Sequence, residues 1–552
     1  MTRASLVGYL YGAMVLWRFH LTGGDDGLLP KEDEEQEGAC PQVYESHWDP
    51  GRGHTVNRSV RAVGYEHELR ESGIADPIAH LRSEVDSMNA ERRAERERGR
   101  VREISDAPSE RHLGHFALKA IDDSLGVRGD LAFLQVPGGF RFSLADLLSC
   151  LVLARAVAPC SKSRTFHDVL PQMEGVEAGF TLDQLYDGLA YLGEEYEKVV
   201  EIYNARVGGL FGRDTTTSYF DCTNFYFEIG REDRLRRKGP SKEHRPEPIV
   251  GMGLLLDADC VPIAMSVFPG NESERPQLKR CISQLKERNA ISGRTVRVAD
   301  KGPDCADNVV DAVLSGDGYI FSKSVKALPA RERAWALSDE GWQDVPDGRG
   351  GGAFSHKAST GDFEYGVTDA GGRRRVVALP ERRVVTYSPA LARKQTREIN
   401  RQVEKARALR LAAARRSEYG DSARYVTFEP VDGEGEVRED TRVVATPDHD
   451  AIRKARSVAG YNMLVTSETS MPPREVYGTY HRLWRIEESF RVMKSELDAR
   501  PVYLQRQSTI TGHFLVCYLA VLLVRLLQVK VLGGRYSSED VMGLCRGLDV
   551  CQ

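Results

Sequence analysis

The sequence has no C-x-x-C pair and no Cys/His quartet at zinc-finger spacing. Its ten cysteines are scattered between Cys40 and Cys551. That excludes a small disulfide-stapled scaffold and a structural zinc site, and it fits a reduced, cytoplasmic chain. Nor is there an apolar run of the ~20 residues that a bilayer span needs. Phe514 to Val524 is cut off by Arg525 and reads as a buried helix. Leu6 to Trp17 looks like a signal h-region but lacks a small-x-small cleavage site after it. Residues 1–40 are therefore expected to be a poorly ordered extension, ending in the solvated charge run Lys31 to Glu37, and no membrane is implied. Positive charge is not in excess: 76 Lys+Arg against 81 Asp+Glu give −5, which over the whole chain argues against a nucleic-acid partner. No internal repeat is visible, and the only biased stretch, Asp347-Gly-Arg-Gly-Gly-Gly352, reads as a loop tip. What is present, 41% apolar and 28% charged residues over 552 positions, suffices for two or more cores.

Hydrophobic patterning divides the chain. Within 41–210, Val43 to Tyr65 alternates around Asp49-Pro-Gly-Arg-Gly53 as a hairpin does, and a charged helix is expected from Ile78 to Glu103. The mixed signs of Glu91 to Arg98 favour an exposed helix or linker over a DNA-binding face. Residues 112–210 read as helical, with Leu144 to Val157 and Leu182 to Val207 the strongest runs. Residues 211–329 change character. Strands are predicted at Thr217–Phe227, Ile249–Leu256, Val261–Phe268, Thr295–Ala299 and Tyr319–Lys323, with helices at Gln277–Arg288 and Ala306–Leu314. This β-β-β-α-β-α-β order matches an α/β, ribonuclease H-like mixed sheet. Residues 330–472 read as a β-rich insertion with a basic helix and a strand at Tyr461–Thr466. A strong helix from Pro473 resumes the core over 473–535, leaving 536–552 as a tail.

Three carboxylates stand where packing does not ask for them. Asp221 lies mid-strand in Ser218-Tyr-Phe-Asp-Cys-Thr-Asn-Phe-Tyr-Phe227, although an unpaired buried carboxylate is costly. Asp300 ends a strand predicted to neighbour it, where parallel sheets open toward ligands. Glu487 lies on the expected helix, sharing a stripe with Tyr480, Trp484, Arg491 and Lys494, while Leu483, Ile486, Phe490, Met493 and Leu497 form a core-facing stripe. An ordinary i,i+4 pair between Glu487 and Arg491 would account for the same spacing. Three convergent carboxylates without Cys or His favour Mg²⁺ or Mn²⁺, and two such ions suit in-line displacement at phosphorus.

These residues resemble one large group of bacterial insertion-sequence transposases with a D-D-E metal site. Tyr480, Glu487 and Lys494 fit the group's Y-x2-R-x3-E-x6-K signature, Tyr219-Phe-Asp-Cys-Thr-Asn224 its first-Asp strand, and Ala299-Asp-Lys-Gly302 with Asn308 its second-Asp turn. Ser241-Lys-Glu-His-Arg245, Pro269-Gly-Asn271 and His513 also look like it, and the likeness covers roughly residues 40–530. The interval of 187 residues between Asp300 and Glu487 is what an insertion at this place would produce. Two positions depart: Leu483 replaces the signature Arg, moving its phosphate contact to Arg482 or Arg485 or losing it, and Cys260 stands where glycine is common. Glu488 is the rival third carboxylate, and spacing selects Glu487. The resemblance implies an enzyme that binds terminal inverted repeats, cleaves DNA strands with two ions held by Asp221, Asp300 and Glu487, and joins the 3′ ends to target DNA. Tyr480 and Lys494 would position DNA-end phosphates with help from Arg491, and pairing two ends implies a dimer. A metal-dependent nuclease on the same core, or a non-catalytic DNA-binding derivative, are the competing readings.

Charge is also segregated. Between Gly371 and Arg416 fourteen Lys/Arg face three Glu, so the −5 total divides into +11 there and −16 elsewhere. Arg393, Lys394, Arg397, Arg401 and Lys405 follow one predicted helix that could track a phosphate backbone. A helix solvated all round, with Glu398 and Glu404 as partners, is the alternative. Residues 43–210 are the candidate region for end recognition, though no helix-turn-helix pattern appears there.

Overall fold

The computed structural model describes residues 13–18, 40–49, 54–62, 66–76 and 110–551, less the stretches 243–245, 346–353, 369–370, 412–415 and 431–442 and positions 289, 292 and 501; between 77 and 109 it describes only 79–80, 83–84 and 87. The charged helix expected from Ile78 to Glu103 falls almost wholly outside these residues. The chain forms two compact units, 1–108 and 109–552.

In the first unit β1 (Ala13–Arg18), β2 (Cys40–Asp49) and β3 (His54–Ala62) make an antiparallel sheet in chain order. The extension expected to be unstructured thus contains a strand, with Val15 registered opposite Val43. The apolar run Ala13 to Trp17 is taken up in strand pairing rather than in a signal-like helix.

The second unit opens with β4 (Glu110–His112), paired to the C-terminal strand Asp549–Cys551. Helices follow at Phe116–Leu125, Leu144–Val157, Leu182–Glu194 and Tyr196–Phe211. Their starts are written locally: the Ser143 hydroxyl accepts from the Asp146 N–H, and Thr181 with Gln184 closes a capping box. The meander β5 (Thr217–Tyr226), β6 (Ile249–Leu256) and β7 (Pro262–Pro269) comes next, then β8 (Val296–Ala299) and β9 (Gly318–Lys323), each parallel to its inner neighbour. Helices Arg275–Glu287 and Ala306–Leu314 make the crossovers. At the tight β6–β7 turn Cys260 adopts φ 62, the left-handed region that glycine takes without strain.

Most strands of segment 330–472 extend this sheet rather than build their own. Its β10 (Gln343–Val345), β11 (Phe354–Thr368) and β12 (Arg374–Tyr387) join the same nine-stranded mixed sheet, while β13 (Val426–Pro430) and β14 (Val443–Pro447) form a separate ribbon. β15 (Tyr461–Thr466) sits between β12 and β9, giving the order β10-β11-β12-β15-β9-β8-β5-β6-β7. A buried polar seam ties the addition to β9: Glu381 on β12 accepts from the Tyr319 hydroxyl at 2.8 Å and from the Tyr365 hydroxyl, and pairs with Arg383 at 2.7 Å. Sequence pattern marked these strands but not their destination, because edge pairing is a backbone property.

Both faces of the sheet are covered, so the architecture is mixed α/β in three layers. Helices Arg275–Glu287 and Ala306–Leu314 pack on one face. On the other lies Gln507–Arg525, every residue of which is buried from Thr509 onward. With its continuation to Val531 that helix is long and apolar enough to cross a membrane, but 83% of its most apolar window is buried within the protein. Phe514 packs on Phe225 of β5 at 4.8 Å between ring centroids. The helix meets Leu182–Glu194 backbone to backbone, since a Cβ at Gly512 would strike the Leu189 carbonyl and one at Gly193 the Ser508 carbonyl. Gly512→Ala should therefore cost about 1–3 kcal/mol in urea unfolding, as overpacking does, while Gly543→Ala, where a Cβ meets nothing, should leave the midpoint unchanged.

Candidate active site

Asp221 points from β5 toward the face that carries Tyr219 and Phe225, beneath the helix Trp484–Arg491. In the parallel β5–β8 register Phe220 stands opposite Ala299, so the next pair along, Asp221 and Asp300, are neighbours at the strand end. Arg297 holds β8 in place from behind, with its guanidinium 2.7 Å from both Asp311 and Asp317 in the interior. Tyr480, on the helix Pro473–His481, donates its hydroxyl to Asp300 Oδ1 at 2.8 Å.

Negative charge is concentrated here. Burial, with Glu274 and Asp300 nearby, pushes the Asp221 carboxyl up to about 6, against the pull of Lys242 and the Cys222 N–H. The Lys242 ammonium lies 3.8 Å from Asp221 and 3.2 Å from Glu274, and also donates to the Cys222 carbonyl. Neither Lys242 nor Glu274 was singled out from sequence as a site residue. The signal for Lys242 lay in the segment Ser241 to Arg245; Glu274 follows Pro269-Gly-Asn271 directly, with nothing in its spacing to mark it. Both line a cleft of about 440 Å³ with Asn224, Arg275, Lys301 and Gly302. Two carboxylates side by side, with a lysine ammonium standing as cation beside one of them, fit a hard divalent ion through oxygen donors.

The expected single helix after Pro473 is instead three pieces. Between Thr479 and Ile486 four N–H groups, in two pairs either side of Trp484, donate to carbonyls three residues back: Arg482 to Thr479, Leu483 to Tyr480, Arg485 to Arg482, and Ile486 to Leu483. Each such step winds about 20° beyond an α-helical one. The Tyr480 and Glu487 faces consequently part. Tyr480 reaches Asp300, whereas Glu487 is exposed on Trp484–Arg491. Among the described residues no three His, Cys, Asp or Glu side chains converge as a metal site. Leu483 turns into the core, so the position of the signature Arg carries no cation.

Of the other expected contacts, Lys494 falls in a π-helical turn, Val492–Glu496, with its ammonium 5.3 Å from the Phe225 ring centre. Arg482 is exposed and its charge acts on the Tyr219 hydroxyl. Arg491 is exposed. Arg485 stacks on Trp484 at 4.0 Å and pairs with Glu488 at 2.9 Å. Glu488 is thereby excluded as a rival ligand: its side chain is 5% exposed and also takes Arg525 at 3.0 Å and the Ser538 hydroxyl at 2.6 Å.

Arg393, Lys394, Arg397, Arg401 and Lys405 are exposed along Pro389–Leu411, which buries Ile399, Val403 and Ala406 beneath. The helix is thus not solvated all round. Arg401 pairs with Glu398 at 2.9 Å, leaving a predominantly cationic outer face. Among the described residues no contact brings this helix to Asp221 or Asp300. Family models give no match to this chain, and no curated protein matches it in sequence.

The two glutamates differ sharply in what they contribute to stability. Glu488→Gln should cost ~3–5 kcal/mol in denaturant unfolding, because it leaves Arg525 charged and buried without its partner. Glu487→Gln, on an exposed face, should move the midpoint by less than ~0.5 kcal/mol.

Proposed function

We propose that this chain is a DNA transposase of the D-D-E type, built on a ribonuclease H-like core and acting in the cytoplasm. The observation that carries the reading is the juxtaposition of Asp221 and Asp300 by the β5–β8 register, with Tyr480 of the signature segment hydrogen-bonded to Asp300. The strand order β7-β6-β5-β8-β9, three antiparallel then two parallel, supports the core assignment.

On this reading Asp221 and Asp300 would hold two Mg²⁺ or Mn²⁺ ions; spacing assigns Glu487 as the third ligand, but in this structure it is exposed and does not converge with them. When bound, the metal supplies activation of the attacking oxygen and stabilisation of the leaving one. Tyr480 fixes the Asp300 carboxylate through its hydroxyl. Lys242 offsets the charge of Asp221 and Glu274 and keeps the buried carboxylate ionised near neutral pH. The exposed cations Arg482 and Arg491, with the half-buried Lys494, flank the same helix and suit phosphates of a DNA end. The outer face of Pro389–Leu411 suits sequence-independent contact with duplex backbone. Synapsis of two ends calls for a dimer during catalysis.

The test is strand cleavage and joining on a duplex carrying the inverted repeats that flank the gene, with Mg²⁺ present. Asp221→Asn and Asp300→Asn should each abolish product by at least about a thousandfold and weaken Mn²⁺ binding in calorimetry, with unfolding midpoints kept. Cleavage surviving either change sinks the assignment. Independently, neutralising Arg393, Lys394 and Arg397 together should flatten the salt dependence of duplex binding by roughly two to three in log–log slope. An unchanged slope would remove this helix from the DNA path.

A further inference from the structure

A second cavity, of about 320 Å³, shares no residue with the cleft beside Asp221. It lies between the turn after Leu144–Val157 and the segment Asp498–Leu504, with His513 in its wall. Arg155 and Lys162 also line it, and they are only 4% and 5% exposed. Buried cations normally have a carboxylate beside them, because removing a charge from water costs several kcal/mol. Here, among the described residues, neither has one. Lys162 Nζ is 3.5 Å from His513 Nδ1, and His513 Nε2 faces the Ala499 carbonyl at 3.2 Å. Arg155 donates to the Leu497 carbonyl at 3.4 Å and the Cys160 carbonyl at 2.8 Å, while its Nε is buried without any partner. The acid in the lining, Asp498, is exposed.

The arrangement is a set of basic groups around a space, with Arg155, Lys162 and His513 all in the low-dielectric interior and donor capacity left over. Their mutual effect agrees: burial first, then Arg155, lowers the affinity of Lys162 for its proton, and burial with both cations does the same to His513. A multivalent oxyanion in the cavity reverses each of these costs. A guanidinium beside an ammonium matches phosphate oxygens, and Ser161 and Tyr186 line the same cavity.

We propose that this cavity is a phosphate-binding site with Arg155 and Lys162 as its charged ligands. The phosphate is that of a DNA backbone or a free phosphate; the chemistry is shared and the test separates the sources. The site does not depend on the chemistry assigned to Asp221 and Asp300.

The experiment uses the full chain and inorganic phosphate. Phosphate should raise the thermal midpoint of the wild type saturably, as a ligand of the folded state does, and should leave Lys162→Met and Arg155→Met unmoved. Without phosphate, Lys162→Met should melt no lower than wild type, since it removes an unpaired buried charge. Binding of a random-sequence duplex across a salt series then assigns the source. A log–log slope lower by about one in the variants means a backbone phosphate; an unchanged slope with lost phosphate stabilisation means free phosphate. Equal phosphate responses in wild type and variants, or none in the wild type with an unchanged duplex slope, overturn the proposal. Should the variants not fold, alkylation of Cys160, which lines the cavity, decides on the wild type alone: phosphate should slow it severalfold, and no protection overturns the site.

Discussion

The parallel pairing of β5 with β8 is the joint on which the rest of the second unit depends. It is a short contact, four residues of β8 against the start of β5, but it joins the antiparallel meander to the crossover half of the sheet. Its register also fixes which residues share the strand end. A slip by one position would carry Asp221 to the opposite face and put Phe220 in its place. The structure guards that register from two sides. Arg297, fully buried and paired with Asp317 and the half-buried Asp311, ties β8 to its crossover helix, and Phe225 with Phe514 clamps β5 to the apolar helix Gln507–Arg525.

Charge at the strand end follows from that geometry. Neighbouring carboxylates in a partly desolvated place raise each other's energy, and the chain answers with Lys242 rather than by neutralising the pair with a buried arginine. An exposed, flexible lysine can yield its place to another cation at small cost. Glu488 shows the opposite solution only one residue from Glu487. Two arginines and a serine hydroxyl surround it, and it serves the packing of Gln507–Arg525 and the C-terminal helix. Adjacent positions on one helix thus have different physical fates, and the exposed one is free for chemistry.

Much of the core was legible because its signals are local. Asp221 in the middle of a mostly buried strand, the β-β-β-α-β-α-β alternation, and the strand at Tyr461–Thr466 all appear where periodicity puts them. Glu274 was not legible, since it reaches Lys242 and Gly302 only once the loop after β7 folds over the sheet end. The over-wound turn at Thr479–Ile486 was hidden too, because the sequence there has no Pro or Gly after Gly478 to announce a break. Leu483 hints at it in retrospect: an apolar residue where the signature has a cation is a residue that the core has claimed.

By itself, then, the sequence determined the element types, the carboxylates worth testing and the segregation of charge into a basic stretch, since each depends on neighbours a few positions away. Tertiary structure alone decided that β10, β11, β12 and β15 extend the sheet rather than form their own, and that Glu488 is structural. It also decided that Arg155 and Lys162 meet around a cavity with His513, about 350 positions further on. Backbone edges pair without regard to side chains, and buried charge acquires meaning only from what surrounds it. Neither condition is written in the order of residues; both follow from which surfaces the fold brings together.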